Sequence, residues 1–253
     1  MTAHLMNTHP HRTGAPPLVL VAHGSRDPRA LATVTALADR VRALRPGLPV
    51  HLGHIELNEP LLPDTLAALG DREAVLVPLL LSRGYHIKQD IPEMAAASPA
   101  RTRLAAPLGP HPLLAEALAT RLTEAGWTRG DAVVLAAAGS RDPEAAVDTG
   151  HMARLLSTRL GGVPVVPAYA SAAKPTVPEA VRALRSRGHG RVTVASYFTA
   201  PGRFATESAQ AAPNMAAAPM GTHPAMARLI LHRYEQAVKT PTAPLKRTLA
   251  ALT

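Results

Sequence analysis

The segment Val19–Pro28 reads VLVAHGSRDP, and 115 residues further on Val134–Pro143 reads VLAAAGSRDP. An apolar run followed by Gly-Ser and Asp-Pro spells a strand that turns sharply into a helix. Glycine tolerates the turn, aspartate caps, and proline suits the first helical turn. The recurrence makes the chain a duplication. Three further landmarks repeat in order. Pro49–Pro60 (PVHLGHIELNEP) returns as Pro164–Pro175 (PVVPAYASAAKP), Leu81–His86 (LSRGYH) as Thr199–Phe204 (TAPGRF), and Leu108–Pro112 (LGPHP) as Met220–Pro224 (MGTHP). The offset drifts by three residues at most, which is hard to obtain by chance.

Working outward from the first copy, Leu18–Val21 reads as a strand and Pro28–Arg45 as a helix. Leu31, Val34, Leu37, Val41 and Leu44 recur there three or four apart. A strand is expected at Val50–Ile55, a short helix at Leu61–Leu69, and at Ala74–Leu80 a continuously apolar strand of the doubly covered kind. A helix near Asp90–Ala97, a weak strand at Arg103–Ala105 and a helix at Pro112–Ala125 complete the half. Strands alternating with helices give a parallel sheet with right-handed crossovers. The expected fold is therefore α/β: two similar lobes, each a mostly parallel sheet flanked by helices. They span residues 15–127 and 128–239, meet near Gly126–Gly130, and lie between tails at 1–14 and 240–253 expected to be disordered.

With 253 residues and 47% hydrophobic side chains the chain can bury a real core. Cysteine is absent, which excludes disulfides, thiolate zinc sites, iron–sulfur ligation and a cysteine nucleophile. The longest clearly apolar run, Ala74–Leu81, falls far short of the ~20 residues of a membrane span. Leu18–Ala22 is too short for a signal peptide, so a soluble, cytoplasmic protein is expected. Net charge is +9, of which residues 1–128 contribute +1 and residues 129–253 contribute +8. A basic half suits an anionic partner, nucleic acid or a polycarboxylate or phosphate ligand; scattered solvated arginines are the plain alternative. Against nucleic acid stand seven aromatic residues, no reading module, and cations spread singly. The Gly24-Ser25-Arg26 turn lacks the nucleophile elbow of a serine hydrolase, and no dinucleotide or Walker glycine pattern is present.

The two copies differ where chemistry would sit. Gly24 to Pro28 persist as Gly139 to Pro143, as a scaffold should, and His111 persists as His223, each before a helix-opening proline. His23, however, becomes Ala138, Glu56 becomes Ser171, and His86 becomes Phe204. In the first half all three fall at or beyond the carboxyl ends of expected strands, where ligands bind in open α/β sheets. Two imidazoles and a carboxylate suit a divalent metal, proton transfer, or both. One site, in the first half, is the economical reading. His54 shares a strand face with Glu56 and faces Tyr169 in the repeat, which suits a wall position behind the ligands. Glu59, opposite Lys174, is the weaker acidic candidate.

These residues resemble a known family. VAHGSRDP, the Glu56-x-x-x-Pro60 segment and VPLLLSRGYHIKQDIP (Val77–Pro92) are similar to the sirohydrochlorin chelatases of the class II chelatase family, in its long duplicated form. The resemblance implies two lobes with a cleft between them. It implies ATP-independent insertion of Co²⁺ or Fe²⁺ into sirohydrochlorin, in siroheme or cobalamin synthesis. The metal is then a substrate, and no tightly bound cofactor is expected. By the same resemblance His23 and His86 match the metal-binding, proton-accepting histidines and Glu56 their acidic partner. Ser25, Arg26, Arg83, Gly84 and Tyr85 are expected against the tetrapyrrole. From the second lobe Lys174 and Arg203, cations whose counterparts Glu59 and Tyr85 are not basic, are expected to dock its carboxylates. No nucleic acid or membrane partner is expected, and both a monomer and a homodimer stay open. A metal or tetrapyrrole carrier without turnover is the alternative.

Overall fold

Short, continuously apolar runs become two wholly parallel sheets in the computed structural model, which describes residues 14–240. The expected tails lie outside the described residues, save Gly14 and Thr240. The first half runs β1 (Leu18–Ala22), α1 (Pro28–Leu44), β2 (Val50–His54), α2 (Leu62–Leu69), β3 (Glu73–Pro78), a π-helical turn (His86–Asp90), α3 (Ile91–Ala96), β4 (Arg101–Leu104) and α4 (Pro112–Glu124). The second runs β5 (Ala132–Ala137), α5 (Pro143–Arg159), β6 (Val165–Tyr169), α6 (Val177–Ser186), β7 (Val192–Ser196), α7 (Arg203–Ala209) and α8 (Pro224–Lys239). Strand orders are β2-β1-β3-β4 and β6-β5-β7. Leu18 pairs with Val50 and Val75, and in the copy Val133 pairs with Val165 and Thr193.

Two local differences from the expected elements have physical causes. The helix expected near Asp90 opens earlier, at His86, as a π-helical turn in which the Ile91 N–H reaches the His86 carbonyl. Pro92 has no N–H to offer Lys88 and its ring would crowd that carbonyl, so an ordinary α-turn cannot run through this point. The fourth strand of the second sheet shrinks to one bridge, Val194 to Ala216. The segment there, Met215–Pro219, is alanine-rich and ends on proline, a poor strand former.

Strand residues alternate between faces with period two. Val19 and Val21 point outward onto Leu62 and Leu66 of α2, while Leu18 and Leu20 join a larger inner core. That inner core also holds Val133 and Leu135 of the second sheet. The halves do not pack as separate bodies, because their last helices are exchanged. The second half's α8 lies against β3, β4 and α1, and the first half's α4 lies against β7 and α5. Tyr234 of α8 donates its hydroxyl to the Pro16 carbonyl at 2.7 Å, and Arg233 donates to that of Leu108 at 3.2 Å. Leu114, Leu118 and Leu122 of α4 are fully buried. At ~1.5–3 kcal/mol for each such side chain, burial outweighs any exposed ion pair in joining the halves. His111 and His223 cap α4 and α8, their Nδ1 atoms accepting the N–H groups of Leu113 and Ala225. No helix among the described residues is long and apolar enough to cross a membrane.

Candidate active site

The strand ends put His23 and Glu56 side by side. Beyond β1 and β2 the parallel ladder continues for one more step, with the Ile55 N–H on the Ala22 carbonyl and the Glu56 N–H on that of His23. Gly24 makes this crossing possible. Its φ is +106°, and a Cβ there would stand 1.8 Å from the Glu56 carbonyl oxygen. The second lobe repeats the arrangement at Gly139, whose Cβ would stand 1.9 Å from the Ser171 carbonyl oxygen. The backbone frame is thus common to both lobes, and only the side chains differ.

His23 Nδ1 lies 3.5 Å from Glu56 Oε1 and 3.3 Å from the Gly24 carbonyl oxygen. His86 comes to it from the π-helical turn beyond β3, ring centroids 4.6 Å apart and planes at 86°. Asp90, four residues on, meets His86 Nδ1 with Oδ2 at 2.5 Å. Each imidazole therefore has its own carboxylate. A proton on Nδ1 suits the oxygens around both rings, leaving the Nε2 lone pairs for the cleft. Asp90 escapes the sequence reading. Its signal is nonetheless present, since its repeat counterpart, Ser208, lacks the carboxylate just as Phe204 lacks the imidazole. Among the described residues no three His, Asp or Glu side chains are preassembled around one point as a closed metal site.

His23 and His86 line a cleft of about 1180 Å³ between the lobes, larger than the ~300–1,000 Å³ of ordinary small-molecule pockets. Ser25, Arg26, Gly84, Tyr85 and Arg203 also line it. Ser25 accepts the Asp27 N–H and Asp27 caps α1, a scaffold pattern that Ser140 and Asp142 repeat. Arg26 makes no ion pair among the described residues. Tyr85 is exposed, and Arg203 lies over the Phe204 ring with its guanidinium 4.4 Å from the centroid. His54 is in the wall, 1% exposed; its Nδ1 meets the Pro60 carbonyl at 3.1 Å, and its Nε2 has no partner.

Two expected residues are elsewhere. Lys174 lies outside the cleft, in a separate groove beside α6, where Glu179 holds it at 3.0 Å. The Thr176 N–H, and after it Lys174, hold the Glu179 carboxyl down to about 2. A lysine at a helix entrance finds the first-turn acid before it finds a distant ligand. Arg83 does not line the cleft either. Its guanidinium turns to Asp148 and Glu144 of the second lobe, and the Asp148 hydrogen bond holds it above its usual range.

The family described as CbiX matches this chain twice, over residues 17–125 and 132–237. The sirohydrochlorin ferrochelatase of Bacillus subtilis is 30% identical over 172 residues, covering 64% of this chain and 66% of that protein. The sirohydrochlorin cobaltochelatase of Methanopyrus kandleri is 31% identical over 136 residues, covering 43% of this chain and 95% of its own. With that of Methanococcus aeolicus the match, 36% identical over 80 residues, spans 30% of this chain and little more than half of the relative, 56%. Among solved structures, SirB from Bacillus subtilis with Fe³⁺ superposes with a TM-score of 0.72 at 24% identity, over 88% of this chain and 96% of that one. CbiX, titled the terminal enzyme for siroheme biosynthesis in denitrifying bacteria, superposes at 0.67 with 21% identity, over 87% and 99%. These structures share the fold. With both halves matched in turn, the chain belongs to the CbiX family.

Proposed function

We propose that the protein is a sirohydrochlorin chelatase, a lyase that inserts Co²⁺ or Fe²⁺ into the tetrapyrrole without ATP. The observation that carries this reading is the meeting of His23 and His86 on the wall of a cleft large enough for a macrocycle, with Glu56 beside the His23 ring. The named chelatases among its relatives support it. Metal insertion needs two things of the protein. The ion must exchange its waters for softer ligands, and both inward-facing pyrrole protons must go somewhere. Neutral imidazole does both near pH 7. His23 and His86 take the incoming ion on Nε2 and accept the protons as the pyrrole nitrogens replace them on the metal. Glu56 and Asp90 hold the Nδ1 protons and so fix which nitrogen of each ring faces the ion. The ion is a substrate that leaves with the product, and the balance is one divalent cation in, a pair of protons out.

Tyr85 offers an aromatic face to the ring, while Arg26 and Arg203, from opposite lobes, meet its carboxylates, with Ser25 and Gly84 beside them. The enzyme acts in the cytoplasm, as a monomer or a homodimer. The test is anaerobic incubation of the full chain with sirohydrochlorin and Co²⁺, Fe²⁺ or Ni²⁺, followed by absorbance. Catalytic appearance of the metallated spectrum with Co²⁺ or Fe²⁺ is expected. Tight binding of sirohydrochlorin without turnover for any ion would identify a carrier instead.

A further inference from the structure

The turn that carries His86 is tied to the second lobe on both sides of the histidine. Three residues before it, Arg83 sends its backbone N–H to Asp148 Oδ2 at 2.8 Å, its Nη2 to Oδ1 at 2.7 Å, and its Nε to both oxygens at 3.1 and 3.2 Å. Two residues after it, Lys88 places Nζ 2.6 Å from Asp142 and 2.5 Å from Glu144, at the start of α5. Between them Gly84 lies against Ser140, where a Cβ would approach the hydroxyl to 3.5 Å. The Asp148 side chain is 4% exposed and that of Arg83 45%. The carboxylate is a fixed, buried post, fully satisfied by a forked guanidinium and an amide.

The related contact on the other side of the cleft has no such tie. Gly202 lies against Ser25 as Gly84 lies against Ser140. There, however, Pro201 stands for Arg83, Thr206 for Lys88, Thr33 for Asp148 and Arg29 for Glu144. Asp27, the counterpart of Asp142, pairs with Arg29 of its own helix. Loop contact thus occurs on both sides, but among the described residues only the loop that carries an imidazole is joined to the facing lobe by ion pairs. Holding the halves together does not need this clamp, since the exchanged helices and the shared core already do that. Its position, bracketing one side chain, is what it adds.

Resting on the reading that His86 serves metallation, we propose that Arg83 and Asp148 are positioning residues, through which the second lobe fixes the His86 turn and its reach to His23. A reacting group displaced by about 1 Å costs on the order of 100-fold in rate. The lobe that has lost its own site residues then still sets the rate at the other's. The test uses anaerobic Co²⁺ insertion by the full chain, comparing Arg83→Ala, Arg83→Lys and Lys88→Met with His86→Ala. Arg83→Ala should lower kcat about 10- to 100-fold, while the KM for sirohydrochlorin moves less than about twofold, because this side chain is outside the cleft. Arg83→Lys should recover part of the loss, and Lys88→Met should cost a few-fold. Should Arg83→Ala fail to fold, a kcat loss at constant KM in the other two variants supports the proposal equally. Unaltered kcat in folded Arg83→Ala, or in both Arg83→Lys and Lys88→Met, overturns the proposal, as does a loss residing wholly in the sirohydrochlorin KM. Full activity in His86→Ala would instead remove the functional reading on which the clamp rests.

Discussion

The first and second lobes share a backbone and divide a chemistry. At the strand-to-helix turns the two are nearly superimposable in their bonding: Asp27 and Asp142 cap their helices, and Gly24 and Gly139 allow the same close crossing. A few side chains away the resemblance stops. The first lobe holds two imidazoles, each with a carboxylate, where the second holds Ala138, Phe204, Ser171 and Ser208. Duplication preserves what the chain needs to fold in each copy. It releases the imidazoles and carboxylates that the proposed reaction needs only once.

The comparison is tested hardest at the histidines. His23→Ala and His86→Ala should each lower kcat for metallation by more than about 100-fold. Glu56→Gln and Asp90→Asn, which disturb only the imidazole's partner, should cost about 10- to 100-fold. These polar changes at partly exposed side chains should leave the fold intact. Ser171→Ala, at the position that answers Glu56, should metallate as the unaltered protein does. A comparable loss in Ser171→Ala would mean that the second lobe has kept catalytic chemistry, and the division between lobes would be wrong.

How much of this is legible in the sequence depends on how far each side chain reaches. His23, Glu56 and Gly24 sit within two residues of strand ends, so the strand reading alone brings them together. Asp90 is hidden from a periodicity reading because it acts across a π-helical turn that proline at position 92 imposes. Arg83 reads as facing the ligand, yet its partner lies 65 residues away in the other lobe. A repeat offset fixes where a backbone sits, not where a long, flexible guanidinium finds its carboxylate. The exchange of α4 and α8 is invisible for a related reason. An apolar stripe says that a helix face is buried, but not on which of two similar sheets.

The surface charges sharpen the comparison with a smaller effect. Arg203 lines the cleft and its side chain is 73% exposed, held only loosely by Glu207 at 3.4 Å. A carboxylate met in that setting contributes ~0–1 kcal/mol, more only as the bound ring excludes water. Arg203→Gln should therefore raise the KM for sirohydrochlorin about two- to fivefold with kcat unchanged, and about 0.5 M salt should erase most of the difference. Arg26→Gln should behave alike from the other lip. Lys174→Gln is the control, since that ammonium faces Glu179 outside the cleft, and its KM should not move. An equal rise for Lys174→Gln would mean that bulk charge, not the lining, attracts the substrate.

The smallest effect belongs to the matched caps. His111 and His223 do the same work, each accepting one helix N–H, but their surroundings differ. Burial first, then the charges of Arg233 and His232, pushes His111 down to about 4. For His223 burial also lowers the value, but Glu116 and Glu124 pull against Arg121 and Arg228. The folded value lies below that of the unfolded chain, about 6.5. His111 is therefore neutral when folded, and the unfolded state binds the extra proton as pH falls. Its contribution is fully present above about pH 6.5 and is lost progressively toward about pH 4. Asparagine keeps an acceptor for the Leu113 N–H and removes the proton site. His111→Asn should match the unaltered protein at about pH 7.5 to within about 1 kcal/mol in urea denaturation. Between about pH 6.5 and about 4 it should lose stability less steeply. His223→Asn should flatten the same curve less, because acids sit beside that ring. Equal flattening in the two variants would mean that the caps, unlike the sites, have remained electrostatically equivalent since the lobes diverged.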